Sequence, residues 1–265
     1  MILKPKMRQA HQSIGIVYLA WGDEFIFEAE KSRKSTEQLG LPTCLLTIQE
    51  ASDETLAKTK FSSIYRIDFK HKGLMRKSEI YEHCPFDLNL FLDTDTLVYS
   101  KDFRYAFQKT NKFNMSLVTA PRYMQWSFPS MNKIRRDFPN ISWEISSYNS
   151  GVIFFRKCKE VESIFNLWKE LASKYPFVGG DQNLLSLAIE ILDFNPYILP
   201  VNYNFRGFWQ FIQGEIKVWH SRFTFPENYE HYLENFMQQG RPYFYDNKNK
   251  SLSIAKEDGL PKRSK

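Results

Sequence analysis

The sequence predicts an α/β protein with one mostly parallel central sheet that is flanked by helices. Short, almost wholly apolar runs, such as residues 14–20 and Leu88–Leu92, are typical of strands that are buried on both faces. Helical patterns alternate with these runs, and such alternation is typical of βαβ units. The chain has 265 residues, 43% of them hydrophobic and 25% charged, so it is a folded globular protein and not a disordered or low-complexity one.

The first half of the chain gives an ordered series of elements. After the strand at residues 14–20, Asp23 is expected to cap a helix that ends before Gly40. Two further helices are expected over residues 52–60 and 74–83. Short β-rich runs predict further strands at residues 44–48, 64–69, 88–92 and 117–120.

The second half continues this alternation after an interruption. Residues 121–147 lack clear periodicity, so we expect an irregular lid or acceptor-binding region there. A strand at residues 151–155 resumes the pattern, and apolar residues at a spacing of 3.6 predict a helix over 161–172. Another helix is expected to open at Asp181.

The distribution of charge bears on domain organisation and on partners. No internal repeat or linker is visible, so we predict a single domain over residues 12–245 and a polar, basic, loosely ordered tail over 246–265. Lys and Arg number 36 against 30 for Asp and Glu, which gives a net charge of +6. This mild basic excess favours anionic ligands.

The cysteines and the apolar runs bear on the compartment. Cys44, Cys84 and Cys158 are too few and too scattered for a disulfide framework, and none forms a Cys-x-x-Cys metal motif. No run approaches the roughly 18 apolar residues of a membrane helix, and the N-terminus lacks an apolar signal region. We therefore expect a cytoplasmic protein with no membrane span and no nucleic-acid partner.

The most informative segment is Asp93-Thr94-Asp95, which directly follows an apolar strand. In open α/β folds, ligands bind at the carboxyl ends of the strands, where these two side chains would lie. Two carboxylates separated by one residue can bind the same divalent cation, whose other positions are filled by water or phosphate oxygens. A turn in which the Asp side chains only accept local backbone hydrogen bonds is the alternative.

Four short motifs occur in an order that resembles a known family. They are Leu92-Asp-Thr-Asp-Thr-Leu-Val98, Tyr148-Asn-Ser-Gly-Val152, Gly179-Gly-Asp-Gln182 and Val218-Trp-His220. Together they resemble the landmarks of GT-A fold glycosyltransferases, especially the glycogenin-like family 8 enzymes that use nucleotide-sugar donors. The resemblance extends over roughly residues 14–220 and implies a single, Rossmann-like GT-A domain.

The resemblance implies a metal site. Asp93 and Asp95 match the pair that binds a divalent cation, usually Mn²⁺ or else Mg²⁺, which bridges the donor diphosphate. His220 matches the late histidine that completes the site, and a carboxylate set with one imidazole suits manganese better than calcium. Lys77 falls where the family places a lysine near the donor phosphates, and Arg76 is an alternative for that role. The strand that ends at Trp219 should then lie beside the strand that ends at Leu92.

The resemblance also implies a donor site. Asp181 and Gln182 match the catalytic pair beneath the anomeric carbon of the sugar, although Asp181 is also a suitable helix cap. Asn149 and Ser150 match a turn beside the sugar, where Gly151 allows a close approach. The residues thus expected to bind the donor are Ala20, Trp21, Gly22, Lys77, Asp93, Thr94, Asp95, Asn149, Ser150 and Arg222. Phe25 could stack on the base, but for Trp21 and Phe25 a core position is the stronger expectation.

The chain departs from the family pattern at two places. Val178 stands where the family has an acidic residue before Gly-Gly-Asp-Gln. After His220 the family has Gly-x-x-Lys-Pro-Trp, whereas this chain has Ser-Arg-Phe-Thr. The lysine that binds the diphosphate is therefore absent, and Arg222 is the substitute that the sequence offers.

The sequence thus predicts a metal-dependent, hexosyltransferase-like enzyme. It would move a sugar from a nucleoside diphosphate sugar, with uridine as the expected base, to a hydroxyl of a carbohydrate or other acceptor, with retention of configuration. One alternative is a haloacid-dehalogenase-like phosphatase or phosphotransferase, in which Asp93 would be the nucleophile and Asp95 the acid. Another is a glycan-binding module with vestigial motifs.

Overall fold

A computed structural model describes residues 12–120, 132–142, 145–176, 180–207, 211–221, 242–246 and 248–254. Its strands are β1 (Ile14–Leu19), β2 (Thr43–Ile48), β3 (Ser63–Ile67), β4 (Leu88–Leu92), β5 (Thr96–Val98), β6 (Met115–Leu117), β7 (Val152–Arg156), β8 (Tyr197–Ile198), β9 (Phe211–Ile212), β10 (Val218–His220), β11 (Tyr243–Asp246) and β12 (Ser251–Ile254). Its α-helices are α1 (Asp23–Thr36), α2 (Asp53–Ala57), α3 (Ile80–His83), α4 (Arg104–Phe113), α5 (Asn132–Asp137), α6 (Lys159–Lys174) and α7 (Asp181–Ile191). Short 3₁₀ turns occupy Glu37–Leu39, Gly73–Glu79 and Val201–Asn204.

Seven of the strands form the central sheet, in the order β3-β2-β1-β4-β7-β6-β8. The pairs β3/β2, β2/β1, β1/β4 and β6/β8 are parallel. Strand β7 runs antiparallel to both of its neighbours, β4 and β6. The predicted α/β class with a mostly parallel sheet is therefore confirmed.

Helices cover both faces of this sheet because successive strand residues point to opposite sides. On one face, Val17 and Phe91 pack with Phe165 and Trp168 of α6 and with Leu184 of α7. On the other face, a second cluster joins the strands to helices α1 and α4 through Tyr18, Leu90, Leu92, Ile26, Ala29, Phe103 and Ala106. Among the described residues, no helix combines the length and the apolar character needed to cross a membrane.

Several predicted elements differ from those observed. Gly22, not Asp23, occupies the cap position of α1, with a φ of 81° that suits glycine, and Asp23 is the first helical residue. The helix predicted at 74–83 is mostly a 3₁₀ turn, since the buried side chains of Lys77 and Glu79 make tertiary contacts that override helix propensity.

The stretch predicted to be irregular contains a helix. Helix α5 lies within 121–147, where Ile134 is buried in the same cluster as Trp168. This single apolar anchor on a short helix leaves no periodic pattern to detect in the sequence. Residues 121–131 and 143–144 lie outside the described part of the chain.

The expectation of a loosely ordered tail is wrong for Ser251–Ile254. Strand β12 pairs antiparallel with β11, which also pairs with β9. Leu252 is 3% exposed and belongs to a cluster that includes Phe205, Trp219 and Tyr245. Leu252 and Ile254 alternate with two serines, but this pattern is only four residues long and lies in a polar, basic segment, so composition gave the wrong expectation. The domain boundary at 245/246 stays a prediction, and residues 255–265 lie outside the described part.

We expect Leu252→Ala to lower the free energy of unfolding by about 2–5 kcal/mol, because it removes a buried leucine side chain from this cluster. Urea unfolding of the full chain measures this change. Lys248→Ala, at an exposed position of the same hairpin, is the matched control and should change stability little. Equal stability of the two variants would mean that β12 does not pack as described.

Candidate functional site

A cleft of about 580 Å³ lies at the edge of the sheet where β1 and β4 end. Most of the site residues predicted from the sequence line it: Trp21, Lys77, Asp93, Thr94, Asp95, Asn149, Ser150, Asp181, Gln182 and His220. Ala20 is fully buried and Gly22 is exposed, and neither is among the lining residues. Arg222, like Val178 and Gly179, lies outside the described residues.

The two carboxylates of Asp93 and Asp95 are placed by a tight turn after β4. The N–H of Asp93 donates to the carbonyl of Gly151 at 2.8 Å. The carbonyl of Asp93 accepts from both the N–H of Thr96, at 3.3 Å, and its hydroxyl, at 2.7 Å. The backbone of Asp93 is therefore fully engaged, and the turn holds both side chains at the cleft.

His220 lies on the returning strand that the sequence predicted, but this strand has a different neighbour than expected. Strand β10 pairs antiparallel with β5, so that His220 lies opposite Thr96, and it does not pair with β4. The reason is that the turn at residues 93–95 leads into a further short strand, β5, and β10 pairs with this strand. His220 Nε2 lies 3.3 Å from Asp95 Oδ1 and 3.6 Å from Asp93 Oδ2.

This group of three side chains fits a divalent metal ion. One ligand atom from each of Asp93, Asp95 and His220 lies within 4.8 Å of the others. Two carboxylates and an imidazole are a donor set that suits Mn²⁺. Each Asp side chain stays about one-fifth exposed (20% and 19%). Burial raises the pKa of the Asp93 carboxyl, and the neighbouring Lys77 and His220 oppose that rise.

Lys77 links the two carboxylates that the sequence assigned to separate roles. Its Nζ lies 2.7 Å from Asp93 and 3.3 Å from Asp181 Oδ2, and the residue is 4% exposed. Burial alone would lower the pKa of Lys77, but the charges of Asp181 and Asp93 outweigh it and raise that pKa well above its usual value. Lys77 is thus a buried cation held between two acids.

The turn Asn149-Ser150-Gly151 and the start of α7 meet at the other end of the cleft. Ser150 Oγ donates to Asp181 Oδ2 at 2.5 Å. Asn149 Oδ1 accepts from the N–H of Gly151 at 2.9 Å, so the Asn149 side chain holds the turn. Gly180, with a φ of 114°, is the cap of α7 and Asp181 its first residue, so the expectation that Asp181 caps the helix is wrong. Its carboxylate instead faces Ser150 and Lys77.

Aromatic side chains form the wall at the end of β1. Trp21 and Phe25 have ring centroids 5.7 Å apart, and both line the cleft. The guanidinium carbon of Arg76 lies 5.0 Å from the Trp21 ring, which braces the indole by a cation–π contact. Both residues are half-buried at the cleft, and Trp21 packs against the core cluster on one face of the sheet and Phe25 against the cluster on the other. Each residue therefore contacts the core and lines the cleft at the same time.

Three residues of the site were missed or given another role by sequence reasoning. Arg206 lines the cleft, and Asn204 is buried beside His220. A Cβ built on Gly151 would lie 2.0 Å from His220 Cε1, so the space at Gly151 is taken by the imidazole and not by the donor sugar. The sequence around residues 201–206 carries no motif, and backbone contacts with β10, among them the pairing of Phe205 with Trp219, bring it to the site.

Comparison with known proteins identifies the fold. No protein-family model and no curated protein sequence matches the chain. The galactosyltransferase LgtC, solved in complex with donor and acceptor sugar analogs, superposes with a TM-score of 0.56 at 15% identity, over 92% of this chain and 98% of LgtC. The bifunctional glycosyltransferase WbbM gives 0.55 at 13% identity, over 78% of this chain and 42% of WbbM.

A third structure is similar, the glycosyltransferase GlyE from Streptococcus pneumoniae TIGR4. Its TM-score is 0.53 at 17% identity, over 86% of this chain and 50% of GlyE. The chain thus spans nearly all of LgtC but about half of the other two proteins. The predicted GT-A glycosyltransferase fold is confirmed.

The phosphatase alternative gains no support. Its nucleophile is expected after the first strand of the domain, whereas Asp93 follows β4. Asp93 is also engaged by Lys77, which withdraws electron density from a carboxylate that would have to attack phosphorus.

We expect Lys77→Met to lower the free energy of unfolding by about 3–5 kcal/mol, because it leaves Asp93 and Asp181 without their buried cation. Urea unfolding measures the loss, and Lys72→Met, at an exposed position of the same segment, should change little. Adding Asp181→Asn to Lys77→Met should restore part of the stability. Strictly additive losses in this double-mutant cycle would contradict the ion pair.

Proposed function

We propose that this protein is a metal-dependent glycosyltransferase that moves a sugar from a nucleoside diphosphate sugar to an acceptor hydroxyl. The observation that carries this proposal is the convergence of Asp93, Asp95 and His220 in one cleft of a GT-A fold. Two segments that are distant in sequence supply these side chains, the turn after β4 and the end of β10, whereas a purely local turn of acidic residues would not bring in a histidine. The similarity to LgtC, which was solved with donor and acceptor sugar analogs, supports the same class of substrates.

The phosphate end of the donor is assigned to Asp93, Asp95 and His220. A divalent cation held there, Mn²⁺ or Mg²⁺, would neutralise the charge that grows on the diphosphate as the glycosidic bond breaks. Arg206 lines the same cleft and is placed beside His220, because the carbonyl of Phe205 accepts from the N–H of His220 at 2.9 Å. We assign to Arg206 the contact with the diphosphate that Lys77 cannot make while it is held by two carboxylates.

The sugar end of the donor is assigned to Asp181 and Gln182. The Asp181 carboxylate is fixed by Ser150 and Lys77, so its negative charge is preorganised for a positive charge that develops at the anomeric carbon. Such stabilisation fits transfer of a hexosyl group with retention, which needs no base on the far side of the sugar. The acceptor is a carbohydrate or another hydroxyl compound.

The base of the donor is assigned to the aromatic wall. Trp21 and Phe25 offer ring faces for stacking, and Leu74 beside them is 49% exposed at the cleft. We expect uridine diphosphate to be preferred. Thr94, whose hydroxyl donates to Glu28 at 2.5 Å, also lines the cleft. We propose that the backbone of Ala20 and Gly22, which flank Trp21 in sequence, supports this end of the site without lining the cleft.

We expect a nucleoside diphosphate to stabilise the protein only together with Mn²⁺, since the Asp93 and Asp95 carboxylates otherwise repel the phosphates. Thermal unfolding with a panel of nucleoside diphosphates should show about 2.7 kcal/mol of stabilisation at 100 times the dissociation constant. Asp95→Asn should abolish this effect, and Asp102→Asn, in a surface pair with Arg104, should keep it. Equal stabilisation by the nucleoside diphosphate in excess chelator would contradict the proposal that a metal ion binds between the phosphates and the two carboxylates.

The products distinguish the proposal from its rival. With a nucleotide sugar and Mn²⁺ but no acceptor, slow release of free sugar and nucleoside diphosphate is expected. Release of inorganic phosphate from phosphomonoesters, lost in Asp93→Asn, would instead indicate the phosphatase.

We expect Arg206→Gln to weaken the affinity for uridine diphosphate with Mn²⁺ by roughly 10-fold or more, since a hydrogen bond to a charged group contributes about 1.5–3 kcal/mol. Affinity for uridine alone should not change, because the contact proposed for Arg206 is with the phosphates and not with the nucleoside. Calorimetric titration measures both. Arg104→Gln, which removes an exposed arginine outside the cleft, is the control. Equal losses of affinity for uridine and for uridine diphosphate would contradict a contact between Arg206 and the phosphates.

A further inference from the structure

The imidazole of His220 is held by residues that are not themselves placed to bind a metal ion. His220 Nδ1 lies 2.8 Å from Asn204 Oδ1, and Nε2 faces the carboxylates of Asp93 and Asp95. The ring covers Gly151 so closely that any Cβ there would overlap it. The hydrogen bond to Asn204 thus fixes the orientation of the ring, and the close contact with Gly151 fixes its position.

The backbone makes the contact between Asn204 and His220 a fixed feature of the fold. Asn204 ends the 3₁₀ turn Val201–Asn204, and the next residue, Phe205, forms a bridge to Trp219. The N–H of Phe205 donates to the carbonyl of Val218, and the N–H of His220 donates to the carbonyl of Phe205, both at 2.9 Å. These bonds set the register of the two segments and bring the two side chains together.

The hydrogen bond also determines which ring nitrogen carries the proton. A carbonyl oxygen only accepts, so His220 Nδ1 donates to Asn204 Oδ1. The lone pair of a neutral imidazole is then on Nε2, which points at two carboxylates. The lone pair and the carboxylates repel each other unless a metal ion or a proton lies between them, and a metal ion bound at Nε2 requires the proton to be on Nδ1, as Asn204 places it.

Asn204 is poorly explained by a role in stability alone. It is 1% exposed, and its Nδ2 has no hydrogen-bond partner within the described part of the chain. A buried donor left unpaired costs about 1–3 kcal/mol, so an apolar side chain of the same shape would avoid this cost. The amide oxygen, in contrast, has a defined partner in His220.

We propose that Asn204 is a positioning residue that presents His220 Nε2 to the metal ion and thereby makes the site selective for Mn²⁺ over Mg²⁺. This inference rests on the metal site of the proposed function. Both ions bind carboxylate oxygens, but Mn²⁺, a transition metal, accepts one imidazole nitrogen in its ligand set more readily than Mg²⁺, which is a hard cation bound by oxygen. Loss of a hydrogen-bond partner behind a metal ligand typically weakens metal affinity 10- to 100-fold.

The test compares Asn204→Leu, which cannot accept a hydrogen bond, with Asn204→Asp, which keeps the accepting oxygen. Affinity for Mn²⁺ alone is measured on the full chain from the paramagnetic resonance signal of the free ion, and affinity for Mg²⁺ by competition. We expect Asn204→Leu to weaken Mn²⁺ binding 10- to 100-fold and Mg²⁺ binding much less. We expect Asn204→Asp to retain Mn²⁺ binding. Unchanged Mn²⁺ affinity in Asn204→Leu, or equal losses for both metals, would overturn the proposal.

Two controls separate positioning from folding. Asn89 is also buried and donates one hydrogen bond to the carbonyl of Phe86, and its Oδ1 has no partner among the residues that the structure describes, but it lies at the far end of β4. Asn89→Leu should therefore change stability without changing the preference for Mn²⁺. Gly151→Ala, which displaces the imidazole through its Cβ, should reproduce the selective loss if Asn204→Leu does not fold.

The tautomer can be read without any metal. A long-range proton–nitrogen spectrum of protein labelled at its five histidines should show His220, identified from a His220→Gln sample, protonated at Nδ1. Protonation at Nε2 alone would overturn the proposal. A protein that binds Mn²⁺ selectively but no nucleotide would contradict the proposed function and leave this inference standing. Sugar transfer by the unaltered protein, together with equal losses of Mn²⁺ and Mg²⁺ affinity in Asn204→Leu, would do the reverse.

Discussion

The buried ammonium of Lys77, bonded to Asp93 and Asp181, is the interaction on which the geometry of the cleft depends. Asp93 follows a strand in the parallel part of the sheet, and Asp181 opens helix α7 on one face of it. A buried ion pair is stable only where its geometry is good and its remaining hydrogen bonds are satisfied. Ser150, bonded to Asp181, and Gly151, which accepts from the N–H of Asp93, meet these conditions. The pair therefore sets the distance between the Asp93 end and the Asp181 end of the cleft.

A second constraint is the reversal of strand direction at β7. Because β7 runs antiparallel to β4, the turn before it lies at the same sheet edge as the Asp-x-Asp turn after β4. Gly151 occupies the point where the two turns meet, and it leaves room for the His220 ring, which arrives on β10. One glycine thus allows three segments that are distant in sequence to contact one another. A parallel β7 would place this turn at the opposite edge, away from the carboxylates.

The extent to which the sequence predicted this site follows from the range of the interactions. Strands β1, β2 and β4 were predicted within a residue of their ends, because burial on both faces leaves a local pattern. The convergence of Asp93, Asp95 and His220 was predicted because few residue types can hold a metal ion. Asn204 was not, since its role comes from a hydrogen bond across 16 residues that depends on the pairing of Phe205 with Trp219. The assignment of His220 to a strand beside β4 failed for the same reason.

The balance of charge in the cleft explains why a metal ion would be needed at all. Among the described residues that line it, three are acidic, Asp93, Asp95 and Asp181, and two are basic, Lys77 and Arg206. Without a bound cation the site is therefore negative, leaving the imidazole aside, although the chain carries a net charge of +6. Lys77 is already neutralised by two of the acids, so it contributes little attraction for a diphosphate. A divalent cation between Asp93, Asp95 and His220 would reverse the sign of the site, and an anionic donor would then bind where it is otherwise repelled.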